Sequence, residues 1–307
     1  MSEHVPLDRE VESEGFRSGF VAIVGRPNVG KSTLLNALVG EKVAITSNHP
    51  QTTRHEIRGV LDRGDAQLVF IDTPGMHKPR TALGQRTNQK AVSVLDDVDV
   101  VCLVLDATAA VGPGDRWVAD LVARSSTPAL AVVNKVDRAS PEQIARTLAA
   151  ASELLDFAAY VPCSARTADG VDLLVGELVA RVPEGVRYYP EGSRSDQSVE
   201  FLTSELVREQ LLHATREELP HSITVVTEPL DEVDDQPTLR LRALVIVERE
   251  SQKGIVIGRG GEVIKAAGTA AREQLEARLG RPVYLETLVK VDKDWQRRPD
   301  RLDRLGY

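Results

Sequence analysis

Gly25-Arg-Pro-Asn-Val-Gly30-Lys31-Ser32 lies between a short apolar run, Phe20–Val24, and a stretch with Leu34, Leu35 and Leu38 at helical spacing. It fits G-x-x-x-x-G-K-[ST] at every fixed position. The glycines let the chain curl so that successive backbone N–H groups point inward, and the N-terminus of the following helix adds partial positive charge. Such a loop holds phosphate oxygens. Lys31 is then placed to bridge the β- and γ-phosphates of a nucleoside triphosphate, and the Ser32 hydroxyl to ligate Mg²⁺. By average residue usage, an accidental match arises in roughly one chain of this length in a hundred.

The base and the metal are addressed downstream. Asp72-Thr-Pro-Gly75 follows the apolar run Leu68–Ile71. Asp72 at a strand end can hold Mg²⁺ through water, and Gly75 lets a backbone N–H approach the γ-phosphate. Asn134-Lys-Val-Asp137 follows Leu130–Val133. A carboxylate accepting two hydrogens suits guanine N1–H and N2–H₂, a donor pair that adenine lacks. Asp137 is the candidate for that contact, with Asn134 bracing the site and the Lys135 stem covering the base. Ser164-Ala165 follows a further strand, where a backbone N–H can meet guanine O6. Each turn alone is common. All of them, in order and each after a strand, arise by accident well below roughly one time in a thousand.

These residues need a scaffold that delivers strand ends to one edge. Phe20–Val24, Leu68–Ile71, Val100–Leu105, Leu130–Val133 and Tyr160–Pro162 read as buried strands, each followed by room for a helix. Alternating strands and helices predict a mostly parallel sheet covered on both faces, with ligands at the C-terminal strand ends. Glu41–Arg54 is polar and without period and reads as a loop. The alternation stops near Pro183, and residues 184–198 (EGVRYYPEGSRSDQS) read as a linker. Beyond it the order changes. Phe201–Leu219 reads as a helix, Ile223–Val226 and Leu239–Val247 as strands, Glu262–Leu279 as a helix and Pro282–Val291 as a last strand. In Leu239–Val247 the apolar residues occupy one face and Arg240 and Arg242 the other. That predicts a small α+β domain with a partly antiparallel sheet.

The 307 residues suit about two domains, and 42% hydrophobic with 27% charged residues argues against wholesale disorder. No apolar run approaches the ~18 residues of a membrane span. The first residues are acidic and lack the apolar core of a signal peptide. Cys102 and Cys163 exclude a disulfide framework and a cysteine zinc site, fit a reducing cytoplasm, and read as small core residues. The net charge is −8, yet residues 253–307 carry +4, so a polyanion would be held at that end if anywhere. There Ile257-Gly258-Arg259-Gly260-Gly261-Glu262 holds a G-x-x-G loop opening a long helix, with Lys253 and Lys265 on either side. In KH domains such a loop clamps about four nucleotides, because glycines admit the sugar-phosphate backbone closely. With 4% aromatics, base stacking on aromatic platforms is disfavoured.

Gly25–Ser32, Gln51-Thr-Thr-Arg-His55, Asp72–Gly75 with Met76-His-Lys-Pro79, Asn134–Asp137 and Cys163-Ser-Ala165 resemble, in order, the motifs of translation-factor-class GTPases, and among them the Era family of bacterial ribosome-assembly GTPases. Thr203–Leu212, Glu218-Leu-Pro220, Tyr284–Val291 and Trp295 resemble that family's KH domain. The resemblance covers nearly everything after Arg17. It implies an α/β P-loop GTPase domain over residues 18–183, after a flexible tail 1–17, and a small α+β type II KH domain over 199–307.

It also implies roles. The nucleotide site comprises Gly25, Arg26, Pro27, Asn28, Val29, Gly30, Lys31, Ser32 and Thr33, then Asp72, Thr73, Pro74, Gly75 and Met76, then Asn134, Lys135, Val136 and Asp137, then Ser164 and Ala165. Lys31, Thr53 and Gly75 serve hydrolysis. Gln51–His55 lies in the first switch, where Thr53 closes on Mg²⁺ together with Ser32 and Asp72; from the residues alone Thr52 is an equal candidate. Met76 stands where Ras-like enzymes place a water-orienting glutamine, and it reads equally as buried core. Asn28 stands where related P-loops help hold a monovalent cation, which predicts slow hydrolysis assisted by K⁺ or by a partner. The RNA contacts are Lys253, Gly258, Arg259, Gly260, Gly261 and Lys265. The implied partners are GTP and GDP, the 3′ end of 16S ribosomal RNA and the 30S subunit. The implied setting is a cytoplasmic monomer with peripheral membrane association, for which the sequence offers no amphipathic basic helix. The alternatives are a GTPase serving another RNA, a P-loop kinase or ATPase, and an RNA-binding module with a purely structural first domain. A membrane or metal-transport GTPase conflicts with the absence of a spanning segment.

Overall fold

The computed structural model describes residues 15–47, 49, 52–76, 81–215, 219–230 and 238–307. Residues 1–14 of the expected tail, Gln51, His77–Pro79 and Glu218 lie outside them, whereas Phe16 is buried and Arg17 is in a strand, so the fold begins before the expected residue 18.

The first half alternates as the apolar runs require. Its order is β1 (Arg17–Val24), α1 (Lys31–Val39), β2 (Ile57–Asp62), β3 (Ala66–Asp72), α2 (Ala82–Ser93), β4 (Val100–Asp106), α3 (Pro113–Val122), β5 (Ala129–Asn134), α4 (Pro141–Ser152), β6 (Ala159–Pro162) and α5 (Val171–Val179). The strands form one sheet in the order β2-β3-β1-β4-β5-β6, parallel except for β2. β3 and β4 are buried along their whole length, which is why they read as continuous apolar runs rather than alternations. Val21 and Ile23 face one core with Leu34, Leu35 and Leu174; Ala22 and Val24 face the other with Val118 and Leu103. Cys102 and Cys163 are buried and unbonded, and burial pushes both thiols up, so they act as small core residues.

β2 was not expected. Its interior Gly59 weakens a strand pattern, yet a Cβ there would lie 2.7 Å from Leu35 Cδ1 and from Val39 Cγ2. The glycine is the price of close packing of α1 on the sheet.

The second half runs α6 (Val199–Ala214), α7 (Leu219–Ser222), β7 (Thr224–Pro229), β8 (Leu239–Val247), α8 (Glu250–Ile257), α9 (Glu262–Leu279), β9 (Val283–Val291) and α10 (Pro299–Arg304). β8 is central, antiparallel to β7 and parallel to β9. The single helix expected over Phe201–Leu219 is instead two. α6 ends at Thr215, which is extended, and α7 begins at Leu219. Proline fits only the first turn of a helix, so a helix containing Pro220 restarts beside it.

Residues 184–198 carry no helix or strand, but they are strapped to the first sheet. The Tyr188 and Tyr189 N–H groups donate to Gln67 Oε1, Gly192 N–H to Asp62 Oδ2, and Val60 N–H to the Arg194 carbonyl. This strap closes the open edge of β2. The C-terminal segment packs back on the first half: Trp295, Leu302 and Tyr307 form one buried cluster with Ile246 of β8 and Leu83 of α2.

Candidate nucleotide and RNA sites

β1 lies between β3 and β4, so the chain leaves its C-terminal end at the point where connections run to both sides of the sheet, where open α/β folds bind ligands. Gly25 and Gly30 both have positive φ (154° and 97°). A Cβ on Gly30 would lie 2.4 Å from Asn134 Nδ2 and one on Gly25 2.7 Å from the Val104 carbonyl oxygen, so neither position admits a side chain. Asn28 also has positive φ, 66°, which asparagine tolerates better than most residues. Lys31 is buried and its ammonium donates to the Arg26 carbonyl, 3.2 Å away. Burial pulls its pKa down from 10.5 to about 8, against the opposing pull of Asp72.

Three oxygens converge beside it. Ser32 Oγ is 2.7 Å from Asp72 Oδ2 and 2.8 Å from Thr53 Oγ1, and Thr53 Oγ1 is 3.2 Å from the same Asp72 oxygen. Asp72 is fully buried, its other oxygen, Oδ1, has no hydrogen-bond partner, and burial pushes its carboxyl up. Two hydroxyls and a carboxylate with an unmet buried oxygen fit a hard divalent cation such as Mg²⁺. The geometry separates the two threonines: the Thr52 hydroxyl pairs instead with Ser47 and the His49 carbonyl. Gly75 sits against the loop, where a Cβ would come 3.0 Å from the Pro27 Cα. Met76 is fully buried in the core, and its N–H donates to the Gly25 carbonyl.

The base end is built on β5 and β6. Asn134 donates to the Val29 carbonyl (2.9 Å) and accepts from the Lys135 and Ala165 N–H groups, which ties the N-K-x-D turn to the phosphate loop. Asp137 accepts from Ser164 Oγ at 2.7 Å and pairs with Arg166. Arg166 is 68% exposed, so it can swing off the carboxylate when a base arrives. The Ser164 and Ala165 N–H groups already donate to the Asp169 carbonyl and to Asn134 Oδ1. A base oxygen meeting the Ala165 N–H, as the sequence predicts, would compete with Asn134 for it.

The G-x-x-G loop joins α8 to α9. Gly258, Gly260 and Gly261 all have positive φ. A Cβ on Gly258 would strike Val263 Cγ2 at 2.6 Å, whereas those on Gly260 and Gly261 would meet open space. Arg259 and Lys265 are exposed and Lys253 half-buried. The loop thus offers bare backbone to a ligand, flanked by cations.

Both halves of the chain match known families. Residues 20–135 match the family model described as 50S ribosome-binding GTPase, and residues 218–296 the KH domain model. The chain is 48% identical over 296 residues to GTPase Era of Mycolicibacterium smegmatis and 50% identical over 298 residues to GTPase Era of Mycobacterium tuberculosis; each alignment covers 95% of this chain and 99% of the relative. The chain belongs to the Era family of GTPases. The fold agrees. A crystal structure of an Aquifex aeolicus Era variant bound to GDP and AlF₄⁻ superposes with a TM-score of 0.91 at 37% identity, and one of Era with MgGDPNP and nucleotides 1506–1542 of 16S ribosomal RNA with a TM-score of 0.91 at 38% identity. Both cover 95% of this chain and 99% of the other.

In this Era-family chain the motif residues form two candidate sites, one in each half. Three features escaped the sequence. Asp106, at the end of β4, accepts from Lys135 Nζ at 2.7 Å; it lies just before a turn and belongs to none of the motifs. Ile255 stands 56% exposed on α8, an apolar side chain near the bare glycines. Arg208 and Glu209 on α6 hold the loop around Thr53, a contact across more than 150 residues that no local pattern signals.

Proposed function

We propose that this chain is a GTP-switched RNA-binding GTPase that engages 16S ribosomal RNA near its 3′ end and assists maturation of the small ribosomal subunit. The observation that carries the reading is the convergence of Ser32, Thr53 and Asp72 beside Lys31 on a chain that also bears the bare Gly258–Gly261 loop.

In this reading the Gly25–Ser32 backbone and Lys31 hold the β- and γ-phosphates, Asn134 and Lys135 stiffen the base site, and Asp137 selects guanine. Ser32, Thr53 and Asp72 hold Mg²⁺, which supplies charge neutralisation at the phosphates. Thr53 reaches that set only when its loop is closed, so the loop reports the γ-phosphate. The Met76 side chain is buried and cannot polarise water by hydrogen bonding. Hydrolysis is therefore slow in the chain alone and is raised by K⁺ near Asn28 or by a partner. Turnover that is equal and fast in Na⁺ and K⁺ without a partner would count against this. Lys253, Gly258, Arg259, Gly260, Gly261 and Lys265 take the RNA backbone. A cytoplasmic monomer with peripheral membrane association completes the reading; no described helix is long and apolar enough to cross a membrane.

The test is a titration of a labelled oligonucleotide from the 3′ end of 16S RNA at one fixed salt concentration, with a non-hydrolysable GTP analogue, with GDP and without nucleotide. Tighter binding with the analogue is expected. Equal binding in all three would leave two uncoupled modules.

A further inference from the structure

Among the described residues of the loop from Val43 to Glu56, which carries Thr53, there is no helix or strand. Its own domain anchors the early part, through Asn36, whose Oδ1 accepts from the Val43 and Ala44 N–H groups. The Thr53 hydroxyl meets Ser32 and Asp72 of the same domain, but the neighbouring backbone is also held from the other domain. The Thr52 carbonyl accepts from Arg208 Nη2 at 2.5 Å, and the Thr46 N–H donates to Glu209 Oε1 at 3.0 Å. Arg54 donates to the Ile223 carbonyl at 2.6 Å, and the His55 ring stacks on Tyr307, 4.5 Å between centroids.

Arg208 is built as a fixed donor. Its side chain is 2% exposed, and Glu205 holds it by two bonds, Nε to Oε1 at 2.8 Å and Nη2 to Oε2 at 2.7 Å. A guanidinium fork held this way loses little freedom when it also takes a carbonyl. Glu209 is equally buried and pairs with Lys42 Nζ at 2.5 Å.

We infer that Arg208 and Glu209 on α6 are positioning residues for Thr53, so that the C-terminal domain holds the loop that closes over the γ-phosphate. This rests on the nucleotide reading above. GDP lacks the γ-phosphate and makes no demand on a closed Thr53. The GTP form does. The clamp must therefore show as a difference between the two nucleotides rather than as a general gain in affinity. By linkage, GTP must tighten α6 against the loop to the same degree.

The test uses the full chain in three forms: parent, Glu209→Ala, and Glu205→Gln/Arg208→Met. The double change removes both buried charges together, which protects folding better than Arg208→Met alone. Affinities for a non-hydrolysable GTP analogue and for GDP are measured in Mg²⁺, with a melting curve for each form. Losing a buried charge-assisted hydrogen bond shifts an equilibrium by roughly ten- to a hundredfold. Analogue affinity is expected to fall at least about tenfold while GDP affinity stays within about twofold. Equal losses for both nucleotides, or no loss for either, would overturn the positioning role. A parent that binds guanine nucleotides no better than adenine nucleotides would instead overturn the function proposed above.

Discussion

Lys135 Nζ lies 2.7 Å from Asp106 Oδ2 and 2.6 Å from the Asn28 carbonyl oxygen, so one ammonium fastens the N-K-x-D turn to both β4 and the G-x-x-x-x-G-K-S loop. Register makes this possible, since Asp106 on β4 pairs with Asn134 on β5. Burial pushes the Asp106 carboxyl up, but hydrogen bonds from Lys135 and Thr108 outweigh it and hold the group below the usual carboxylate range. Asp106→Ala should leave the ammonium only its Asn28 carbonyl contact and weaken GTP and GDP alike, by roughly tenfold, the worth of a charge-assisted hydrogen bond. Titration of a fluorescent guanine nucleotide checks it. A loss confined to GTP would show that Asp106 acts through the Thr53 loop instead.

How much of this was legible in the sequence follows from how local each signal is. The phosphate loop, the D-T-P-G and N-K-x-D turns and the G-x-x-G loop were legible because glycine and spacing requirements are local. The buried strands were legible because full burial writes a continuous apolar run, as in Val100–Leu105. β2 was not, since Gly59 answers to α1 packing rather than to strand propensity. The strap over 184–198 reads as a linker because its bonds go to Gln67 and Asp62, far off in sequence. The Trp295–Tyr307 segment hid its buried contacts among arginines and aspartates. Thr52 and Thr53 could not be told apart by type; their hydroxyls diverge to Ser47 and to Ser32 with Asp72.

Asp137 should carry base selection. Its carboxylate accepts from Ser164 and pairs with the exposed Arg166, which a planar donor pair would have to displace. Inosine triphosphate keeps N1–H but lacks the 2-amino group. The parent should prefer GTP to inosine triphosphate, because a site built to accept that hydrogen is left unmet without it. Asp137→Ala should lose roughly a hundredfold or more in GTP affinity and bind the two nucleotides equally. Competition against a labelled nucleotide separates the cases. A variant that still prefers GTP would place the selecting group elsewhere.

Lys31 predicts a pH dependence with a definite sign. Burial lowers its pKa from 10.5 to about 8. Between those values the folded chain binds fewer protons than the unfolded one, so the nucleotide-free protein gains stability as pH rises through that window. Phosphate binding reverses the preference, because it needs the ammonium. GTP-analogue affinity should fall by roughly fourfold from pH 7 to pH 8.5, with proton uptake on binding. Calorimetry in two buffers of different ionisation enthalpy measures that uptake. Flat affinity with no proton uptake would mean that Lys31 is already charged throughout.

The Gly258–Gly261 loop should separate space from charge. At Gly258, φ is 74° and a Cβ would meet Val263 Cγ2 at 2.6 Å and Val263 N at 2.9 Å, so Gly258→Ala must shift the first turn of α9. RNA affinity should fall while GTP affinity holds, since Gly258 is not among the residues of α6 that hold the Thr53 loop. Arg259 is exposed, so Arg259→Ala leaves the fold intact and removes one cation. Its effect should appear in the salt dependence: the slope of log affinity against log salt should shrink by about 0.7, the contribution of one phosphate contact on a single strand. Titrations of the 16S-derived oligonucleotide at several salt concentrations read both. Weakened binding with an unchanged slope would mean that Arg259 contacts a base rather than a phosphate, and an unchanged affinity in both variants would move the RNA site off this loop.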